Sequence, residues 1–170
     1  MKQQNFFILF ALLAAIQVLL TNYFNVSPYV MPSILPVMVL CIPTRIGTPW
    51  AMVIAFATGL LVDIMADGLL GINAFSLVPV ALVRLSVCRF VFGEELISRQ
   101  DNFSVRKYGI GKVLFAIAIV HSIFLILYLW ADGAGTRTFA FNALRFAGSL
   151  AAGLLLSVFV AEILTPDDRK

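Results

Sequence analysis

Long stretches without a charged side chain restrict what this sequence can fold into. Such stretches lie between residues 2 and 45, 45 and 63, 67 and 84, 112 and 132, and 145 and 162. A helix needs roughly 17 to 25 mostly apolar residues to cross about 30 Å of hydrocarbon. The first stretch is long enough for two crossings, and each of the others suits one. The sequence therefore predicts six membrane crossings.

The crossings are predicted to be helices rather than strands. The chain is 61% hydrophobic and 12% charged, whereas a soluble domain carries about twice that charge. Backbone groups in lipid must be paired within the protein, which leaves helices or a closed barrel. A barrel strand alternates polar and apolar positions, and residues 117–129 show no alternation. We expect an all-α integral membrane protein in which residues 1–170 form one transmembrane domain.

Turn-forming residues set the predicted helix limits, and the second helix is expected to be irregular. Pro32 and Pro36 fall inside it, and proline removes a helical hydrogen bond, so this helix should be kinked or partly unwound. The loop 93–109 is predicted to form a surface amphipathic helix that either docks a partner or only links two halves. The predicted helices span about 5–24, 29–43, 48–63, 70–92, 110–131 and 142–164.

The basic residues predict the orientation, since cytoplasmic ends of membrane helices are enriched in lysine and arginine. The helix ends on the side away from the two termini hold only one basic residue, Arg137, together with Asp63, Asp67 and Asp132. Both termini and the loop 93–109 are therefore predicted to be cytoplasmic, in a bacterial inner membrane. Because the basic residues lie at helix ends and not on one patch, nucleic-acid binding is not expected. The basic residues at the ends predicted to be cytoplasmic are Lys2, Arg45, Arg89, Arg99, Arg106, Lys107, Lys112, Arg169 and Lys170.

Ionisable residues within the spans are functional candidates, because each is costly to place in a membrane. Asp63 and Arg145 are predicted at similar depth near the outer leaflet, so they are a candidate ion pair. Arg84 and Glu162 are a second candidate pair, toward the cytoplasm. The alternative for each arginine is to extend its side chain to the nearest lipid headgroups. Neither pair indicates catalysis.

Polar and small residues within the helices are expected to mediate packing. His121 has no Cys, Asp or Glu close enough to complete a metal site, so it is predicted to be a neutral histidine bonded across to another helix. Gln17 is interpreted in the same way, and no cofactor or metal is expected. Small residues four apart allow close helix contacts, and these pairs are Ala11 with Ala15, Gly148 with Ala152, and Ser149 with Gly153.

Residues 59–75 contain the most distinctive pattern. Gly59 and Asp63 are four apart, a turn follows at Asp67, and Gly71 precedes the next helix. This pattern resembles the rod-shape-determining protein MreD family, which has a Gly-x-x-x-Asp segment, a small turn, and then Leu-Gly and a histidine or other polar residue. Gly59, Asp63 and Gly71 match, and Asn73 stands where many members have histidine.

The resemblance implies a non-enzymatic membrane subunit of the bacterial cell-wall elongation complex, which maintains cell shape. It would bind MreC and, through it, the MreB filament and the RodA and penicillin-binding synthase pair. It also implies a bundle like the six-helix substrate-binding subunits of energy-coupling-factor vitamin transporters. Within this pattern we expect Asp63 to cap the next helix or to tie the outer loop to Arg145, in preference to binding a ligand. Asp67 is also placed to cap that helix.

Two other functions remain open from the sequence. The first is a small-molecule uptake subunit, because the Ala11 and Ala15 pair is similar to the motif with which vitamin-binding subunits contact their transmembrane partner. Against it, the outer half lacks an obvious set of convergent polar groups for a soluble ligand. The second is a membrane enzyme, which needs clustered acids, bases or metal ligands that the sequence does not show.

Overall fold

The structure is a computed structural model that describes residues 3–23, 29–67, 70–94, 108–133 and 137–164. All regular elements in these ranges are helices, and α3 continues directly into a π-helical turn, Asp63–Asp67. Among the described residues, five helices are long and apolar enough to cross a membrane, so the chain is a multi-pass membrane protein. The helices are α1 (Gln3–Tyr23), α2 (Leu35–Leu40), α3 (Thr48–Val62), α4 (Ile72–Phe92), α5 (Ile110–Gly133) and α6 (Phe139–Leu164).

The five long helices surround the short helix α2. Helix α3 packs along α4, α4 along α5 and α5 along α6, while α1 makes lighter contacts with α3 and α6. Helix α2 contacts all five, and every residue from Ile34 to Ile42 is buried. Helices of this length usually bury their faces against one another. Here they do so and also enclose a short central segment, whose residues belong to the same core.

Contacts between helix ends show which termini meet. The ends of α1, α3 and α5 lie with the beginnings of α4 and α6, and we call this side of the bundle the Asp63 end. The contacts are Asn22 with the Met65 carbonyl, Phe75 with Trp130, and Tyr29 with Phe141.

The predicted second helix is shorter than expected. The sequence predicts a helix over about 29–43, but only Leu35–Leu40 is helical, and Met31–Ile34 precede it without regular structure. Pro36 stands in the first turn, where its missing N–H costs nothing. Pro32 disfavours helical backbone at Met31. The expectation of a partly unwound second element is confirmed, but this segment is not a sixth long helix.

The remaining helices agree with the sequence prediction to within about three residues. Their outward faces carry large exposed apolar side chains, such as Leu12 and Leu19 on α1 and Leu155 and Phe159 on α6. Exposure of this kind along whole helices is expected where lipid, not water, is the surrounding solvent. The loop 93–109 is predicted to form an amphipathic helix, and its residues 95–107 lie outside the described residues.

Candidate functional site

Asp63 caps the N-terminus of α4. Its Oδ2 accepts hydrogen bonds from the backbone N–H groups of Gly71 at 3.0 Å and Ala74 at 3.2 Å. Its Oδ1 accepts the backbone N–H of Asn73 at 3.0 Å and the Asn73 side-chain amide at 2.9 Å. The first N–H groups of a helix have no partner within the helix, and a carboxylate there also complements the helix dipole. The prediction that Asp63 caps this helix is confirmed.

Gly59 brings α3 against the start of α4. A Cβ atom at this position would lie 2.6 Å from the backbone N and Cα of Ala74, closer than packed atoms approach. Gly71 adopts a left-handed conformation with φ 97°, which glycine tolerates best. Gly59, Asp63, Gly71 and Asn73 therefore form one unit, which we call the α3–α4 junction. Asp67 lies in the π-helical turn, and its predicted capping role lies outside the described side chains.

The predicted pairing of Asp63 with Arg145 is wrong. Arg145 pairs with Asp132, at the end of α5, and Asp132 also pairs with Arg137 at 2.9 Å. Positions in the sequence predict that Asp63 and Arg145 lie at similar depth, near the same end of the bundle. Depth does not determine the position of a residue around the bundle, and both oxygens of Asp63 are occupied by α4.

Arg84 does not pair with Glu162 either. Its guanidinium donates to the carbonyls of Ile42, Pro43 at 3.4 Å and Ile46 at 2.8 Å, while Glu162 is exposed. These carbonyls follow the C-terminus of α2, which carries partial negative charge. Arg84 is 1% exposed, so its side chain does not extend to the headgroups and instead holds the chain after α2 against α4. Backbone carbonyls stabilise the positive charge of Arg84, just as backbone N–H groups stabilise the negative charge of Asp63.

Side chains from α1 and α6 pair with the unwound backbone before α2. The Gln17 side chain accepts the N–H of Ile34 at 2.8 Å and donates to the carbonyl of Pro32 at 3.4 Å. The Ser149 hydroxyl accepts the N–H of Met31 at 2.9 Å. Irregular backbone is tolerated at membrane depth only where the protein satisfies it. The prediction that Gln17 bonds across helices is confirmed.

His121 pairs with the same segment from α5. Its Nε2 lies 3.0 Å from the carbonyl of Ser33, and because a carbonyl only accepts, Nε2 carries the proton in this contact. The Ser157 hydroxyl of α6 lies 3.4 Å from the same nitrogen. The prediction that His121 bonds across to another helix is confirmed in part: Ser157 lies on α6, but the nearer partner, Ser33, lies in the non-helical segment. Ser33 and Ser157 were missed, since serine is common in membrane helices and neither stands in a motif.

Small residues on α6 make room for this segment. A Cβ on Gly148 would lie 3.0 Å from the Tyr29 carbonyl, and one on Gly153 would lie 2.7 Å from the His121 ring. The predicted packing role of Gly148, Ser149 and Gly153 is therefore confirmed, although their partners are the unwound segment and His121. Ala152 is half-buried.

Ala11 and Ala15, predicted to mark a close helix contact, are not packed against another described helix of this chain. Both side chains are exposed, because α1 turns Leu13, Ala14 and Gln17 inward instead. Gln17 fixes this rotation through its bonds to the segment before α2. The alanine face therefore lies on the outside of the bundle.

The interior also contains thiols and other side chains that can bind metals. Among the described residues, no group of three or more His, Cys, Asp or Glu side chains is placed to hold a metal ion. Cys41 and Cys88 are free thiols buried in the core. The polar interior groups bond to backbone, which fixes an irregular fold.

Comparison with known proteins gives no relative: no protein-family model, curated protein or solved structure matches this chain.

Proposed function

We propose that this protein is a non-enzymatic membrane subunit of the bacterial cell-wall elongation complex, like proteins of the MreD family. It maintains cell shape by binding an MreC-like membrane protein. Through that partner it connects to the RodA and penicillin-binding synthase pair and to the MreB filament. The observation that carries this proposal is the use of the intramembrane charges: Asp63 accepts hydrogen bonds from the start of α4, and Arg84 donates to the backbone carbonyls of Ile42 and Ile46. Such groups fix a shape and leave the outer helix faces apolar.

The α3–α4 junction supports the same function. The residues that resemble the MreD pattern, Gly59, Asp63, Gly71 and Asn73, form one packed and hydrogen-bonded unit. A family pattern with this geometry preserves the relative position of two helices. A scaffold depends on that position, because its partner recognises a surface and not a reactive group.

In this proposal the protein lies in the inner membrane with six crossings and both termini in the cytoplasm, in a bundle like that of the vitamin-transporter subunits. The sixth crossing is the segment 29–46. Tyr29 contacts α6 at the Asp63 end, and Ile46 contacts Arg84 deep in α4. Six unwound residues add about 20 Å at strand-like rise, and the helical part adds the remainder. Reporter fusions at residue 170 test this topology, and a periplasmic C-terminus would contradict it.

The decisive experiment is depletion of the protein in its native cell, scored for rounding, with purification of a tagged copy from the same cells. Rounded cells and co-isolation of an MreC-like protein are expected. The exposed alanines then map the contact face: Ala11→Trp on α1 is compared with Ala151→Trp on α6, and both residues are exposed. Loss of co-isolation in one variant with normal membrane yield identifies the face. Normal cell shape and no such partner would contradict the proposal.

A second candidate function is a substrate-binding subunit of a small-molecule uptake transporter. Gln17, His121, Ser149 and Ser157 converge from three helices on one region of the interior, which is the kind of polar set such a site needs. In this structure the chain's own segment 31–34 occupies these groups. A ligand would have to replace that backbone. Thermal stabilisation of the purified protein by one compound of a vitamin panel would favour this function, and no stabilisation would favour the scaffold.

A further inference from the structure

Two basic side chains share one carboxylate at the Asp63 end, where α5 ends and α6 begins. Asp132 Oδ2 is the partner of both Arg137 and Arg145. The side chains of Asp132 and Arg145 are only 11% and 14% exposed. We call these three residues the Asp132 cluster. It carries one uncompensated positive charge in surroundings that are mostly buried.

No other described carboxylate forms an ion pair with this cluster. Asp63 uses both oxygens on α4, while Glu94 and Glu162 lie at the opposite ends of their helices. The C-terminus of α5 and the N-terminus of α6 carry opposite partial charges. Because both helix ends lie beside the cluster, their effects offset each other, and the side chains set the local sign.

Arg137 is the accessible member of the cluster. Its side chain is 38% exposed, and its guanidinium lies 5.5 Å from the ring centre of Phe141. Phe141 contacts Tyr29 in turn, and Phe139 beside it is 88% exposed. Tyrosine is enriched at the membrane interface, so Tyr29 indicates that this end of the bundle lies at that depth. An accessible guanidinium at that depth has free N–H donors where lipid headgroups lie.

We propose that the Asp132 cluster binds the phosphate group of a membrane phospholipid. Arg137 donates to the phosphate oxygens, and Arg145 adds charge from the buried side. Guanidinium groups pair with phosphate through parallel charged hydrogen bonds. Inorganic phosphate has the same chemistry, but two exposed aromatic side chains match a ligand with an apolar part: Phe139, two residues from Arg137 in the chain, and Tyr29, which contacts Phe141.

Native mass spectrometry of the full-length protein in detergent tests the proposal. Retained phosphatidylglycerol is compared with retained phosphate-free glycolipid of the same acyl chains. An exposed ion pair contributes up to about 1 kcal/mol, or about fivefold, so a two- to fivefold preference for phosphatidylglycerol is expected. Arg137→Gln should abolish the preference and Arg137→Lys should keep part of it. Asp132→Asn should increase it, because the carboxylate that competes with phosphate is gone.

Lys112→Gln is the matched control, because it removes one exposed positive charge at the other end of α5; it should leave the preference unchanged. A purely structural cluster predicts lower stability in Arg137→Gln and Asp132→Asn, with equal retention of both lipids. That result, or an equal loss of preference in Lys112→Gln, would overturn the proposal. Displacement of the lipid by inorganic phosphate at comparable concentration would overturn its assignment to a lipid.

Discussion

Replacing Asp63 with alanine should destabilise the protein strongly, and the structure gives the magnitude. The substitution removes the acceptor for three backbone N–H groups at the start of α4 and for the Asn73 amide. Each buried donor left without an acceptor costs about 1–3 kcal/mol. Local rearrangement at the helix end recovers part of this, as the smaller cost of ordinary helix caps indicates. We expect a loss of about 3–5 kcal/mol in the free energy of unfolding.

Unfolding in mixed micelles, followed as the fraction of denaturing detergent rises, measures this loss. Glu162→Ala is the matched control, because it removes an exposed carboxylate and should change stability by less than about 0.5 kcal/mol. Asp63→Asn keeps one acceptor oxygen and should cost less than Asp63→Ala.

The double variant with Arg145→Ala separates this reasoning from the ion pair that the sequence suggested. Asp63 and Arg145 share no partner in the structure, so their losses should add to within about 0.5 kcal/mol. Arg145→Ala and Asp132→Ala share one pair and should be non-additive. A loss below about 1 kcal/mol for Asp63→Ala, or strong coupling between Asp63 and Arg145, would refute the capping argument.

Three further substitutions test the interior contacts. Gly59→Ala should lower the free energy of unfolding by about 1–3 kcal/mol, because the added Cβ would overlap the α4 backbone. Gly111→Ala is the control and should be nearly neutral, because no atom lies within 4 Å of the added Cβ. The same unfolding titration measures both variants. Gln17→Leu should speed hydrogen exchange at the Ile34 amide, whose acceptor it removes, and unchanged protection there would contradict the contact. Arg84→Met should lower the free energy of unfolding by about 1–3 kcal/mol, because it leaves buried carbonyls unpaired. An unchanged midpoint of the unfolding titration would show that these carbonyls have other partners when the guanidinium is removed.

The membrane helices could be predicted from the sequence because hydrophobicity and turn residues act locally. Residues 48–62, 72–92 and 110–133 are helical close to the predicted limits. The irregular second element was also indicated, since Pro32 and Pro36 each disfavour a continuous helix. The length of its non-helical part could not be predicted. That length depends on hydrogen-bond donors and acceptors from α1, α5 and α6, which lie next to this segment only in the folded bundle.

The partners of the charged residues could not be predicted by matching opposite charges. Sequence position gives the depth of Arg145 and Asp63 along their helices but not which side of the bundle each faces. It also suggests charged partners, whereas Asp63 and Arg84 bond to backbone groups that every residue has. The capping role of Asp63 was the part that local reasoning captured, because the cap and its helix are close in the chain.

The central position of α2 has a consequence for biogenesis. The segment before it has polar backbone groups that no helix satisfies, and two of their partners, His121 and Ser149, lie on α5 and α6, which are translated later. Until α5 and α6 leave the ribosome, this stretch cannot rest in the hydrocarbon as an independent span. Assembly of the bundle is therefore a late event, in which α5 and α6 pack against an irregular segment that was translated before α3.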